Sequence, residues 1–171
     1  MWKVIALVLA ASSAQAEPLK LSVMEGTSLP PIDMEQHACL TEALFWEARN
    51  QPIDGNYAVG YVIANRANHE DFPDSICEVV HQGPRNGSAI SLHKCQFSYY
   101  CDGKGDNVPN DIVEQWAWEM ADIYAEDIMR GTAEDKTKGS THYHADYVTK
   151  PNWAKVYTLV AVVGVHLFYQ H

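Results

Sequence analysis

The sequence predicts an α+β fold, mostly helical, with a small antiparallel β-sheet near the C-terminus. Three observations carry that expectation. Stretches around residues 34–49, 56–67 and 111–130 place apolar side chains at helical spacing. From Thr141 onward the composition turns to β-branched and aromatic residues, with Pro151 and Asn152 between two such runs. The length, 171 residues at 47% hydrophobic, suits one domain with its own core.

The chain opens with an export pattern. Lys3 supplies a positive n-region, Val4 to Ala11 an apolar h-region, and Ala14-Gln15-Ala16 a small-x-small cleavage site. The apolar run is shorter than the ~20 residues of an ordinary membrane span. Residues 1–16 are therefore expected to be a signal peptide, and the mature protein to be secreted or periplasmic. Residues 17–33, with Gly26, Pro30 and Pro31 and no period, read as an N-terminal arm; residues 34–171 read as the catalytic domain.

The first helix is expected from about Met34 to Arg49, with Asp33 as N-cap. Its second half carries two carboxylates, Glu42 and Glu47. Five residues apart, they point roughly 140° from each other on a 3.6-residue helix, so they do not share a face. Glu42 reads as a surface or structural residue. Glu47 sits among Ala43, Leu44, Trp46 and Ala48, where desolvation should make it hold its proton. The plainer alternative is a helix Glu paired with Arg49 or Arg66. Asn50 to Gly55 reads as a loop, followed by a helix over 56–67 with Ala58, Tyr61, Val62 and Ala64 as its buried stripe. Asp74 or Ser75 can cap a short helix to about Gln82. Gly83 to Ser88 reads as a flexible loop, and Ala89 to Phe97 as extended. The longest helix spans Asp111 to Arg130, with Ile112, Trp116, Met120, Ile123 (or Tyr124) and Ile128 in phase and Gly131 just beyond it. Thr132 to Gly139 is a charged loop. Thr141 to His144 and Val160 to Tyr169 supply the sheet.

In an exported protein the four cysteines default to two disulfides. Cys95 and Cys101 flank a compact loop and are expected to pair, which leaves Cys39 with Cys77. A zinc site is disfavoured by the C-x5-C spacing. Signal removal takes Lys3 and no acid, leaving 11 basic residues against 22 acidic ones, a charge of −11 with His neutral. No basic stripe is available to neutralise phosphates, so nucleic acid is not expected as a partner, nor is a stable membrane span. A monomer is expected.

Two sets of residues carry chemistry besides Glu47. His142, His144 and Asp146 form H-x-H-x-D, which on a strand would turn all three to one side as a metal set that His166 could join; the plainer reading is a wet aromatic cleft wall. Gln96-Phe97-Ser98-Tyr99-Tyr100, between two cysteines, offers amide, hydroxyl and ring groups suited to sugar hydroxyls and acetamides. The nine Tyr, five Trp and four Phe would serve a sugar cleft as well as a core. No G-x-S-x-G, free cysteine or Gly-rich phosphate loop competes.

Together these residues resemble the SleB-like cell wall hydrolases, the spore-cortex-lytic type. The resemblance rests on Ala43-x-x-x-Glu47-Ala48-Arg49, Gly55-x-x-Ala58-Val59-x-x-Val62-Ile63-x-Asn65-Arg66 and Phe72-Pro73-x-x-x-Cys77-x-Val79-Val80. It continues through Cys95-Gln96-Phe97-Ser98-x-x-Cys101-Asp102-Gly103, His142-Tyr143-His144-Ala145-Asp146-Tyr147-Val148, Trp153-Ala154 and Gly164-x-His166-x-Phe168-Tyr169. It spans about Cys39 to Tyr169.

The resemblance implies a lysozyme- or lytic-transglycosylase-like domain that cuts peptidoglycan glycan strands without a cofactor or metal. The catalytic glutamate of the family falls on Glu47. Substrate contacts fall on Asn65, Arg66, Gln96, Phe97, Ser98, His142, Tyr143, His144, Trp153, His166 and Tyr169. The implied product is the 1,6-anhydro end of a lytic transglycosylase. Alternatives are a hydrolytic muramidase, a metal-dependent amidase or peptidase using His142, His144 and Asp146, and a non-catalytic wall-binding module. No second carboxylate stands out, though Asp102, Asp106 and Asp146 are open. Residues 17–33 are too few for the separate wall-binding domain often seen in the family. An isolated exported domain would suit a phage lysis enzyme or a small bacterial wall-remodelling enzyme.

Overall fold

The computed structural model describes residues 31–171; the expected signal peptide and most of the arm lie outside the described residues. Helix α1 (Met34–Ala48) starts where Asp33 caps it, its Oδ1 accepting from the amides of Glu35 at 3.0 Å and Gln36 at 3.2 Å. Its buried positions, His37, Leu40, Thr41, Ala43, Leu44, Phe45 and Ala48, cover roughly 200° of its circumference at 100° per residue. A helix enclosed that far is a core helix, and Glu47 falls inside the enclosed arc.

Helix α2 (Ile53–Ala67) begins about a turn earlier than its apolar stripe suggests. Pro52 sits at its boundary with φ −56°, where the missing N–H leaves no helix bond unmade. The Asn56 amide donates to the carbonyl of Gln51 at 2.9 Å and closes the first turn. Gly60 marks the crossing of three helices. A Cβ there would collide with Ile128 Cδ1 and come within 3.2 Å of Leu44 Cδ2. Helix α3 (Ile76–Val80) is shorter than expected; Ser75 Oγ accepts from the Glu78 amide and caps it.

Of the stretch expected to be extended over 89–97, Ala89–Ile90 is a strand and the rest turns, while the loop read over 83–88 supplies its partner strand. Strands β1 (Arg85–Asn86) and β2 (Ala89–Ile90) form a minimal hairpin turned at Gly87, φ +66°. The Cys95–Cys101 disulfide then closes a tight loop whose Cα ends are 6.1 Å apart. Six extended residues would span ~20 Å, so the loop instead coils into a 3₁₀ turn over Ser98–Cys101 and buries Phe97 and Tyr99.

Helix α4 (Ile112–Arg130) has Asp111 as N-cap and ends at Gly131, whose φ of +66° suits glycine. Its buried face is Ala121, Tyr124, Ala125 and Ile128. Part of the apolar row read from the sequence points outward: Ile112 is 83%, Trp116 61% and Ile123 50% exposed. The correction has a packing reason. Small residues let α4 lie close on α1 and α2, so the alanine side wins over the bulkier one.

Strands β3 (His142–Ala145), β4 (Thr158–Val163) and β5 (His166–Gln170) form an antiparallel sheet in the order β3-β5-β4. Phe168 and Val163 pack on Ala58 and Val62 of α2. The 131–140 loop is held by Asp135, which accepts from the amides of Thr137 and Gly139, both at 2.8 Å. Among the described residues no helix is long and apolar enough to cross a membrane.

Two measurements test this framework. The Cys39–Cys77 bond joins α1 to α3 across 38 residues, so removing both cysteines should cost about 4 kcal/mol in denaturant unfolding by the loop-entropy relation, against about 2 kcal/mol for Cys95–Cys101. Gly60→Ala must displace the Ile128 δ-methyl, so an overpacking cost of about 1–3 kcal/mol should offset the ~1 kcal/mol that Ala gains over Gly in a helix; a raised midpoint would contradict the close approach.

Candidate active site

Glu47 occupies the last turn of α1 and lines a cavity of about 250 Å³ together with Trp46, Ser98, Tyr99, Asp102 and Asp106. Burial raises the pKa of its carboxyl, and a backbone hydrogen bond at Ser98 pulls weakly the other way. Neither candidate cation neutralises it. Arg49 is two residues on and faces elsewhere; its Nε lies 3.5 Å from Glu114 of α4 and its guanidinium sits over the rings of Phe45 and Trp46. Arg66 donates from Nε to the Thr141 carbonyl at 2.7 Å and lies over Phe72 and Phe97. The ion-paired alternative for Glu47 is therefore not realised among the described residues.

Glu42 is not a solvated bystander. It is half-buried, and its pKa is raised by burial and then by the charge of Asp106. Tyr99, 6% exposed, is raised by burial and by Glu42, Glu47 and Asp106 in turn, and its hydroxyl has no hydrogen-bond partner. The loop over 98–106 has brought both α1 carboxylates within electrostatic reach of one phenol. The indole N–H of Trp46 is likewise buried and unpartnered.

The other sequence-derived residues divide into groups. Ser98 is exposed at the cavity and Gln96 is exposed beside it. Phe97 is 2% exposed and belongs to the core. The side chain of Asn65 bonds Asp135, Thr137 Oγ1 and the Ser140 carbonyl, so its amide holds the 131–140 loop. The β3 residues split by the alternation of a strand. Tyr143 contacts His166 and Phe168, and its pKa is raised by burial and then by Glu47, which puts it on the side of the acid. His142 and His144 contact Trp153 on the opposite face, with Tyr157 beside His142 and Tyr169 stacked on His144. The single wall read from the sequence is thus two surfaces. Asp146 falls beyond the end of β3, and among the described residues no three His, Cys, Asp or Glu side chains converge as a metal set.

His166, 7% exposed, keeps an unpartnered Nδ1, and burial lowers its pKa. Sequence reasoning placed Tyr99 in the sugar-suited loop between the paired cysteines but not among the implied substrate contacts, where the cavity puts it. A larger depression of about 580 Å³, along β4 and Lys136, shares no lining residue with the Glu47 cavity.

Comparison with known proteins places this geometry. The cell wall hydrolase family profile matches residues 50–169. A curated spore cortex-lytic enzyme of Halalkalibacterium halodurans is 26% identical over 129 residues, covering 75% of this chain. The matched region spans only 33% of that relative. The crystal structure of the Bacillus cereus SleB catalytic domain superposes with a TM-score of 0.61 at 22% identity, over 85% of this chain and 99% of that one. The catalytic domain of the germination-specific lytic transglycosylase SleB of Bacillus anthracis gives the same TM-score and identity over 82% and 98%. At that identity the likeness shows a shared fold.

The histidine surface makes a pH prediction. Burial first, then the charges of Arg66, His171 and His69, lower the pKa of His142 to about 4. A group held neutral in the fold but titrating near 6.5 when unfolded makes the unfolded chain bind more protons between those values, so stability falls as pH drops from about 6.5 to about 4. His142→Asn should flatten that part of the stability curve, and the His142 ring should remain neutral by NMR at pH 5.

Proposed function

The chain belongs to the cell wall hydrolase family, and from that premise we propose that it cleaves peptidoglycan glycan strands between N-acetylmuramic acid and N-acetylglucosamine, with Glu47 as acid and then base. The observation that carries the reading is the state of Glu47: partly buried, raised in pKa and without an ion pair among the described residues. A carboxylic acid that keeps its proton can deliver it to the poor leaving oxygen of an acetal. The bond from C1 to that oxygen breaks and positive charge builds on the muramyl ring. The Glu47 carboxylate then takes the proton of the muramyl 6-hydroxyl as that oxygen attacks C1. The product is a 1,6-anhydro end, and Glu47 is again protonated. One carboxylate suffices for this sequence, as in a lytic transglycosylase.

The site lies between the 98–106 loop, tied down at Cys101, and the Tyr143 side of the sheet. Tyr143 supplies the sheet-side group that feels the charge of the acid, and Ser98 a polar contact at the loop. The amidase alternative is less well supported, because His142, His144 and Asp146 do not converge. Export by residues 1–16 would deliver the domain to its substrate outside the membrane.

The test is digestion of purified peptidoglycan by wild type and Glu47→Gln, with fragments read by mass spectrometry. Loss of a positioned acid–base group predicts a rate fall of roughly 10²–10⁴-fold; full activity in the variant removes the assignment. In the wild type the rate should fall as pH rises through the raised pKa of Glu47, because the acid must be protonated. Stability moves the same way. The folded state favours the proton, so wild type loses stability as pH rises through that pKa. Glu47→Gln should be the more stable protein at pH 7 and lose that advantage in acid.

A further inference from the structure

The cavity beside Glu47 contains a carboxylate that the one-acid sequence does not use. Asp106 lines the same space of about 250 Å³. We propose that Asp106 is a second catalytic carboxylate, a base that activates water against the muramyl C1, so that the enzyme forms reducing ends alongside anhydro ends. The inference rests on Glu47 being the acid.

Three acids near the cavity compete for the role, and their surroundings rank them. Asp102 accepts from the Lys104 amide at 2.8 Å and lies 3.4 Å from the Lys104 ammonium. The hydrogen bond to the Lys104 amide is the main cause that holds its pKa low, so it is a weak base with its oxygens engaged. Glu42 has its pKa raised by burial and then by the charge of Asp106, and it does not line the cavity. Asp106 has no hydrogen bond or ion pair among the described residues. Burial and then Asp102 raise its pKa. It is the cavity-lining acid whose oxygens are free among the described residues, and its surroundings make it more basic than an open aspartate.

The independent observation is the Tyr99 hydroxyl. It is buried, lacks a partner and lies within reach of the charges of Glu47 and Asp106 alike. A buried hydroxyl left without a partner is costly, and a water or sugar hydroxyl bound between the two carboxylates would satisfy it. The step balances. Glu47 gives its proton to the departing sugar oxygen and the C1–O bond breaks. Water oxygen bonds to C1, and its proton passes to Asp106. Capture by water then competes with capture by the muramyl 6-hydroxyl.

The experiment is a quantitative digest in which reducing and anhydro fragments, which differ by one water, are counted separately. The wild type should give both. Asp106→Asn should lower the ratio of reducing to anhydro product roughly 100-fold, the lower end of a general-base contribution. Asp106→Glu should restore part of the reducing product, which a purely structural role would not do. A wild-type digest with anhydro ends alone overturns the proposal, as does an Asp106→Asn variant that lowers both products in proportion. Glu47→Gln runs in parallel. Loss of both products there supports the acid itself, and its full activity would defeat that assignment whatever Asp106 shows.

Discussion

Enclosure of α1 is the constraint on which the site depends. A carboxyl holds its proton above its ordinary range only where water is scarce, and a single exposed helix cannot provide that. Here α4, α2 and α3 pack around α1, and the Cys39–Cys77 bond fixes α3 to it. The last turn inherits the enclosure, so Glu47 is desolvated by a core built for other reasons. The same packing disposes of the nearest cation. Glu114, in the first turn of α4, lies 3.5 Å from Arg49 Nε and engages its guanidinium in place of Glu47. Had Arg49 been left to turn toward the acid, its charge would have lowered the pKa that burial raises.

The second disulfide works on the loop rather than on the helix. Closing Cys95 to Cys101 forces a 3₁₀ turn that sends Phe97 and Tyr99 inward and leaves Ser98 outward. Phe97 anchors the turn beneath Arg66, and Tyr99 reaches the two α1 carboxylates. A loop of this length without regular strands would otherwise be free to move the residues over 98–106 away from Glu47. The covalent closure is what lets irregular backbone form one wall of the cavity.

Much of this was legible in the chain. Asp33 and Asp111 announced two helix starts, Gly131 announced an end, and the environment of Glu47 was readable from Ala43, Leu44 and Ala48 at helical spacing. Other features were not, for definable reasons. Glu42 looked solvated because a helical wheel knows only its own helix, and the loop that covers Glu42 lies about 60 residues on. The outward turn of Ile112 and Trp116 could not be seen because apolar size suggested the buried side, whereas close helix approach selected Ala121 and Ala125. The histidine pair divided from Tyr143 by simple strand alternation, but which face meets Glu47 depends on how the sheet docks on α2, and that is a tertiary fact.

That docking bears on how a sugar could be stabilised in the cleft. The face that meets Glu47 offers Tyr143, while His142 and His144, with Trp153, look the other way. The charge near the scissile position is therefore set by acids rather than imidazoles: Glu47, Asp106 and the partly buried Glu42 surround Tyr99, and the cation in the cavity lining, Lys104, is bound to Asp102. On the proposed chemistry positive charge develops at C1 and the ring oxygen, and negative groups held in a poorly solvated site favour that state over the neutral sugar. An acidic cleft is thus matched to the transition state, and the acids that do not transfer a proton still contribute by their charge.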